Sequence, residues 1–150
     1  NSVAFRYQTM EGRSEEEVIE HINLIPEQAK RDRIMDVTLK GVDSSYFKPA
    51  IKRWDKLFSD MEAALNENTW LTGEEYSLAD IAYTPYLTRM DHVQFMDLFE
   101  QRPKILAWYE RVKARPNYAG ISDWINDKYI PLMAEQGKIV WPRAKEILAA

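Results

Sequence analysis

Cysteine is absent from this chain of 150 residues, and histidine occurs only twice. The absence of cysteine excludes disulfide bonds, a thiol nucleophile, thiolate zinc sites and iron–sulfur clusters. With His21 and His92 alone, a site of three histidines is impossible. Neither histidine follows a glutamate at the Glu-x-x-His spacing that a helical di-iron site requires. We therefore predict that the chain binds no metal.

Excess positive charge and long hydrophobic runs are also lacking. The 20 Lys and Arg residues are outnumbered by 24 Asp and Glu residues, which gives a net charge of −4. This balance opposes a general affinity for nucleic acid or for an anionic membrane. No apolar run approaches the roughly 18 residues of a membrane span, and no basic-then-apolar signal sequence opens the chain. We predict a cytoplasmic protein without a nucleic-acid or membrane partner.

Glycine is scarce, with five residues, and the alternation typical of half-buried strands is missing. Apolar residues recur instead at helical spacing, most clearly as Ile51, Trp54, Phe58, Met61 and Leu65. We predict an all-α fold, a bundle of about seven helices. The expected helices cover about 2–10, 15–22, 26–40, 45–66, 78–92, 103–115, 119–135 and 142–149.

Two of these helices begin with the pattern of a capping box, Ser14 with Glu17 and Ser77 with Asp80. In a capping box the serine oxygen accepts a free N–H of the first turn, and the acid accepts the N–H of the serine. Both pairs therefore predict a helix start, and neither requires a catalytic role.

Four bulky residues near the start of the chain are harder to explain as core: Phe5, Arg6, Tyr7 and Met10. Aromatic and methionine side chains give adaptable apolar surface, and pockets combine such surface with a few polar groups. These residues are therefore candidates for the wall of a ligand pocket. The alternative is that their helix only packs against the helix expected at 45–66, and both interpretations remain open.

Two stretches carry a family pattern. Residues 70–81 read WLTGEEYSLADI, and residues 102–116 read RPKILAWYERVKARP. The Ser-x-x-Asp box after a Trp-Leu-x-Gly loop, followed by an Arg-Pro…Trp…Arg-Pro helix, resembles the C-terminal all-helical domain of glutathione S-transferases of the bacterial type. The resemblance extends from about residue 25 to residue 119.

The resemblance implies that residues 1–150 are such a C-terminal domain, truncated at its N-terminal end. In this family a preceding thioredoxin-like domain binds most of the co-substrate glutathione and activates its sulfur. We therefore expect no catalytic residue in this chain, and no activity from the chain alone. The family also implies a homodimer.

The family's helical domain lines much of the pocket for a small hydrophobic electrophile, which glutathione thiolate attacks. By this resemblance Phe5, Arg6, Tyr7 and Met10 would bind that substrate, and Ser77 and Asp80 would be structural. One alternative is a non-catalytic helical interaction module. Another is the helical ligand-binding domain of a transcription regulator, against which stand the acidic balance and the missing DNA-reading unit.

Overall fold

A computed structural model describes residues 2–122 and 129–150, with side chains described at 6–120 and 129–150. Within these ranges the chain is α-helical and forms no strand, apart from an isolated bridge between Trp70 and Gly73. The predicted all-α fold is confirmed. The helices are α1 (Ser2–Met10), α2 (Glu15–Asn23), α3 (Gln28–Lys40), α4 (Phe47–Glu67), α5 (Leu78–His92), α6 (Pro103–Lys113), α7 (Ala119–Ser122) and α8 (Tyr129–Ala149).

The chain divides into two compact units. Unit 1 comprises Asn1–Arg53 and Glu135–Ala150, and unit 2 comprises Trp54–Ala134. Each unit has its own buried apolar side chains at helical spacing, which is what packing of amphipathic helices requires. In unit 1 these include Val18, Ile22, Ile51, Val140, Ala144 and Ile147, and in unit 2 Phe58, Met61, Leu65, Leu87, Phe99, Ile105, Trp108 and Val112.

The C-terminal region differs from the expectation of two helices at 119–135 and 142–149. Residues 123–128 of the first expected helix lie outside the described part, and α8 then runs without a break through Pro142. A proline inside a helix costs about 3 kcal/mol, since it removes one backbone hydrogen bond. Burial of an aliphatic side chain such as Val140 or Ile147 contributes about 1.5–3 kcal/mol. The free energy gained by burying Val140 and Ile147 together therefore exceeds the cost of the proline.

Both expected helix starts have the reciprocal bonds of a capping box. At α2, the Glu17 N–H donates to Ser14 Oγ over 3.2 Å, and the Ser14 N–H donates to Glu17 Oε2 over 2.8 Å. No helix among the described residues is both long and apolar enough to cross a membrane.

In unit 2, helix α6 is fixed to α4 by polar contacts at its first turn. The Glu62 carboxylate accepts the N–H groups of Lys104 and Ile105 over 3.1 and 2.9 Å. The Arg102 guanidinium bonds to the Asp55 carboxylate beside it. Because a helix start leaves its N–H groups free, the Glu62 carboxylate takes the place of a local cap.

Candidate functional site

The Asp80 carboxylate lies in unit 2, at the start of α5. It is fully buried and accepts four hydrogen bonds: from the Leu71 N–H, the Ser77 N–H, Ser77 Oγ and Trp108 Nε1, over 2.8–3.0 Å. Burial raises the pKa of Asp80, but these bonds outweigh it and hold the pKa below its usual value. With its oxygens occupied, Asp80 joins the 70–77 loop, α5 and α6, and it has no proton to give at neutral pH.

Three hydroxyl groups meet nearby in unit 2. Tyr109 OH donates to Thr88 Oγ1 over 3.2 Å and lies 2.9 Å from Tyr118 OH. Burial raises the pKa of Tyr109, and neither of its hydroxyl partners stabilises a charge strongly enough to reverse this. Tyr109 therefore keeps its proton, and its bonds attach the segment after α6 to α5 as a structural contact.

His92 is the less accessible of the two histidines. Its Nδ1 atom is buried and has no hydrogen-bond partner among the described residues. Burial, followed by the positive charge of Arg89, lowers the pKa of His92 against the opposing effect of Asp91. His92 therefore favours its neutral form in the folded chain. As a separate point, no group of three or more metal-binding side chains occurs among the described residues.

A further candidate site is a cavity of about 640 Å³ in unit 1. Helices α1, α3, α4 and α8 contribute to it, together with the turn after α3. Eight of its sixteen lining residues are aliphatic or aromatic, and the exposed surface of the wall is mostly apolar, as is usual for a small-molecule pocket. The lining residues are Arg6, Thr9, Arg33, Ile34, Val37, Thr38, Lys40, Gly41, Val42, Ser44, Tyr46, Phe47, Ala50, Gln136, Ile139 and Val140.

Arg6 holds α1 against the end of α3 at this cavity. Its Nε donates to the Thr38 carbonyl over 2.7 Å, and a terminal nitrogen donates to the Leu39 carbonyl over 3.4 Å. The last carbonyls of a helix lack intrahelical partners and carry partial negative charge, so a guanidinium suits them. Gly41 leaves room for this contact, because a Cβ there would lie only 3.1 Å from Arg6 Nε. Its φ of +57° also favours glycine at this position.

The four residues that the sequence nominated as substrate-binding occupy different places. Arg6 lines the cavity. Tyr7 is 42% exposed and bonds to Glu11 over 3.4 Å, and the negative charge of Glu11 raises the pKa of Tyr7. Met10 is half-buried outside the lining, and the Phe5 side chain lies outside the described residues. The main contacts of α1 are with α3, the turn after it and α2.

Sequence reasoning missed most of the wall, notably Ile34, Val37, Phe47 and Val140. Ile34 and Val37 stand at helical spacing on α3, and that spacing is the signal that could have drawn attention to them. Val140 lies about a hundred positions further along the chain. No local pattern indicates that it lines the same cavity.

Comparison with known families gives one match that covers most of the chain. The family model described as "Glutathione S-transferase, C-terminal domain" matches residues 17–111. No solved structure gives a significant match.

Several curated proteins are similar over parts of the chain. The tetrachloro-p-hydroquinone reductive dehalogenase of Sphingobium chlorophenolicum is 31% identical over 91 residues, which are 61% of this chain and 37% of that protein. A probable glutathione S-transferase of rice, GSTF1, is 27% identical over 69% of this chain and 45% of its own. The disulfide-bond oxidoreductase YfcG of Escherichia coli is 35% identical over 45% of this chain and 32% of its own. The chain thus spans less than half the length of these relatives.

Proposed function

The chain belongs to the family of glutathione S-transferase C-terminal domains, and on that premise we propose that it is the helical domain of such a transferase. In this role residues 1–150 form part of the pocket for a small hydrophobic electrophile, which the thiolate of the co-substrate glutathione attacks. Most of the glutathione site, and the group that activates the sulfur, belong in this proposal to a thioredoxin-like domain.

The observation that carries the proposal is the apolar cavity of unit 1. Its volume of about 640 Å³ suits a drug-sized molecule, and its wall includes Arg6, one of the four residues nominated from the sequence. We propose Arg6 as a positioning residue that fixes α1 beside the cavity through the α3 carbonyls. Phe5, Tyr7 and Met10 of the same helix are proposed as neighbours of the substrate.

The reaction itself is a matter for the domain that activates glutathione. One relative is named a reductive dehalogenase and another a disulfide-bond oxidoreductase, so similar helical domains accompany different reactions. We propose conjugation for this chain, in a homodimeric cytoplasmic protein.

A non-catalytic interaction module is a second candidate, favoured by one surface of unit 2. Leu78, Ile81 and Tyr86 are 82%, 52% and 43% exposed on α5. Contiguous exposed apolar patches mark interaction surfaces in soluble proteins. The two candidates differ in whether the unit 1 cavity binds a small molecule.

Calorimetric titration with the neutral probe 2-naphthamide tests the ligand-binding role. Ala50 on α4 lines the cavity and is exposed, whereas Ala63 is exposed on the same helix away from the cavity. The substitution Ala50→Trp should fill the cavity and weaken binding about tenfold or more, and Ala63→Trp should leave the affinity unchanged. Absence of binding to the native chain, or equal affinity in Ala50→Trp, would contradict the proposal.

A conjugation assay tests the division of labour between domains. With glutathione and 1-chloro-2,4-dinitrobenzene, the chain alone should give no turnover above the uncatalysed rate, because no thiol-activating group is assigned to it. Turnover clearly above that rate would overturn the assignment of sulfur activation to another domain.

A further inference from the structure

The charged side chains that line the unit 1 cavity all have the same sign. Arg6, Arg33 and Lys40 contribute to the wall, and no aspartate or glutamate does. The chain as a whole carries a net charge of −4. The positive wall therefore contrasts with the overall composition, and it suggests what polar group a ligand of this cavity carries.

Two of the three cations already have partners. Arg6 donates to the Thr38 and Leu39 carbonyls at the end of α3. Lys40 pairs with Asp36 over 2.6 Å, and hydrogen bonds from Lys40 and Ser45 lower the pKa of Asp36. Arg6 thus joins α1 to α3, and Lys40 is paired within α3 itself.

Arg33 differs from these two. Its side chain is exposed on α3, and no hydrogen bond or ion pair joins its guanidinium to another residue that the structure describes. An arginine presents five N–H donors in a planar fork that matches a carboxylate. Arg33 is therefore the cation of the wall that is available to a ligand.

Ser44 provides a second unused polar group. It lines the same cavity, is 5% exposed, and its hydroxyl has no hydrogen-bond partner among the described residues. A buried hydroxyl without a partner costs free energy, so such groups are few in folded proteins and call for an explanation. A ligand oxygen in the cavity would satisfy this hydroxyl.

We propose that the cavity of unit 1 takes an organic anion, an apolar body with one carboxylate group that pairs with Arg33. The apolar body packs against Ile34, Val37 and Phe47, and Ser44 supplies a further donor. This inference rests on the proposed function, because it specifies the substrate class of the same cavity.

A matched pair of probes isolates the charge. The probes 2-naphthoate and 2-naphthamide share one ring system and differ mainly in the negative charge. Hydrogen bonds to charged groups are stronger than neutral ones, so the native chain should bind 2-naphthoate about tenfold more tightly than 2-naphthamide. Added salt should reduce this preference, because the pair is partly exposed.

Two variants test whether Arg33 causes the preference for 2-naphthoate over 2-naphthamide. Arg33→Gln should reduce the affinity for 2-naphthoate to near that for 2-naphthamide, and leave the amide's affinity unchanged. Arg53→Gln is the control, since Arg53 is an exposed arginine of the same unit outside the cavity lining. It removes the same charge and should change neither affinity.

The outcomes separate this inference from the one on which it rests. Equal affinity of the native chain for both probes would overturn the anion inference and leave the apolar pocket of the proposed function intact. Failure of both probes to bind would overturn both. A carboxylate preference that survives in Arg33→Gln would refute the role of Arg33.

Discussion

The buried Asp80 carboxylate of unit 2 and the buried Ser44 hydroxyl of unit 1 differ sharply in their hydrogen bonding. In unit 2 the buried Asp80 carboxylate accepts four hydrogen bonds from three segments. In unit 1 the buried Ser44 hydroxyl has no partner among the described residues and lies beside a cavity. A fully satisfied polar group stabilises one arrangement of the chain, whereas an unsatisfied one retains binding capacity. The contrast indicates a structural role for Asp80, and it agrees with the ligand-binding role that we propose for Ser44.

Alanine substitution at Asp80 and at Ser44 should give the largest difference in the free energy of unfolding. Asp80→Ala removes a helix cap and leaves the Trp108 and Leu71 donors buried without acceptors, so we expect a loss of more than about 2 kcal/mol in the free energy of unfolding. Ser44→Ala removes a hydroxyl that bonds to nothing in the described structure, and it should be neutral or slightly stabilising. Urea unfolding midpoints measure both.

The exposed Glu75 is the control, because Glu75→Ala shows how far an ordinary surface substitution near the Ser77–Asp80 capping box shifts the midpoint. A midpoint shift for Asp80→Ala no larger than that for Glu75→Ala would contradict the structural role of Asp80. A clear destabilisation by Ser44→Ala would mean that the Ser44 hydroxyl is already satisfied.

A pair of glycines sharpens the comparison within unit 1. Gly41 and Gly12 both have positive φ, +57° and +72°, so alanine at either should cost free energy in backbone strain, and the strain at Gly41 is the greater because its ψ of −118° lies outside the left-handed helical region. Only at Gly41 would the new Cβ meet the Arg6 side chain. Gly41→Ala should therefore destabilise the chain further than Gly12→Ala does, and weaken 2-naphthamide binding. Thermal unfolding and calorimetry on both variants provide the measurement, and identical behaviour would count against the Arg6 contact.

The smallest expected effect is the contribution of His92 to the pH dependence of stability. Because the pKa of His92 is lowered in the folded chain, the unfolded chain binds its proton more readily. The stability contribution of His92 is therefore complete above its unfolded pKa of 6.5, and it is lost as the pH falls from there through the lower folded pKa.

Unfolding midpoints at pH 7.5 and pH 5.5 would show this loss, with His21, which is exposed, as the matched control. In His92→Gln the difference between the two pH values should shrink, and in His21→Gln it should persist. The same pH dependence in both variants would assign the effect to other groups.

The sequence predicted what depends on neighbours in the chain. The Ser77–Asp80 box spans three residues, so its spacing alone indicated a helix start. The bond from Trp108 Nε1 to Asp80 joins positions 28 residues apart, and no spacing rule anticipates it. The same limit applies to the cavity, where Ile34 of α3 and Val140 of α8 come together only through packing.

Proline shows a different limit of sequence reasoning. The sequence predicts a helix that begins at Pro142, and proline is favoured at the first helical position. In the structure α8 continues through it, since buried neighbours such as Val140 and Ala144 stabilise the helix on both sides. Local preference was overridden by burial, which a single sequence does not reveal.

A ¹H–¹⁵N NMR titration of the native chain with 2-naphthamide would locate the small-molecule site directly. Because the cavity is lined by α1, α3, the turn after α3, the start of α4 and α8, we expect the largest shift changes at residues 6–9, 33–50 and 136–140. We expect little change around Asp80 and Trp108. Changes that cluster in unit 2, or no saturable change anywhere, would contradict the assignment of ligand binding to unit 1.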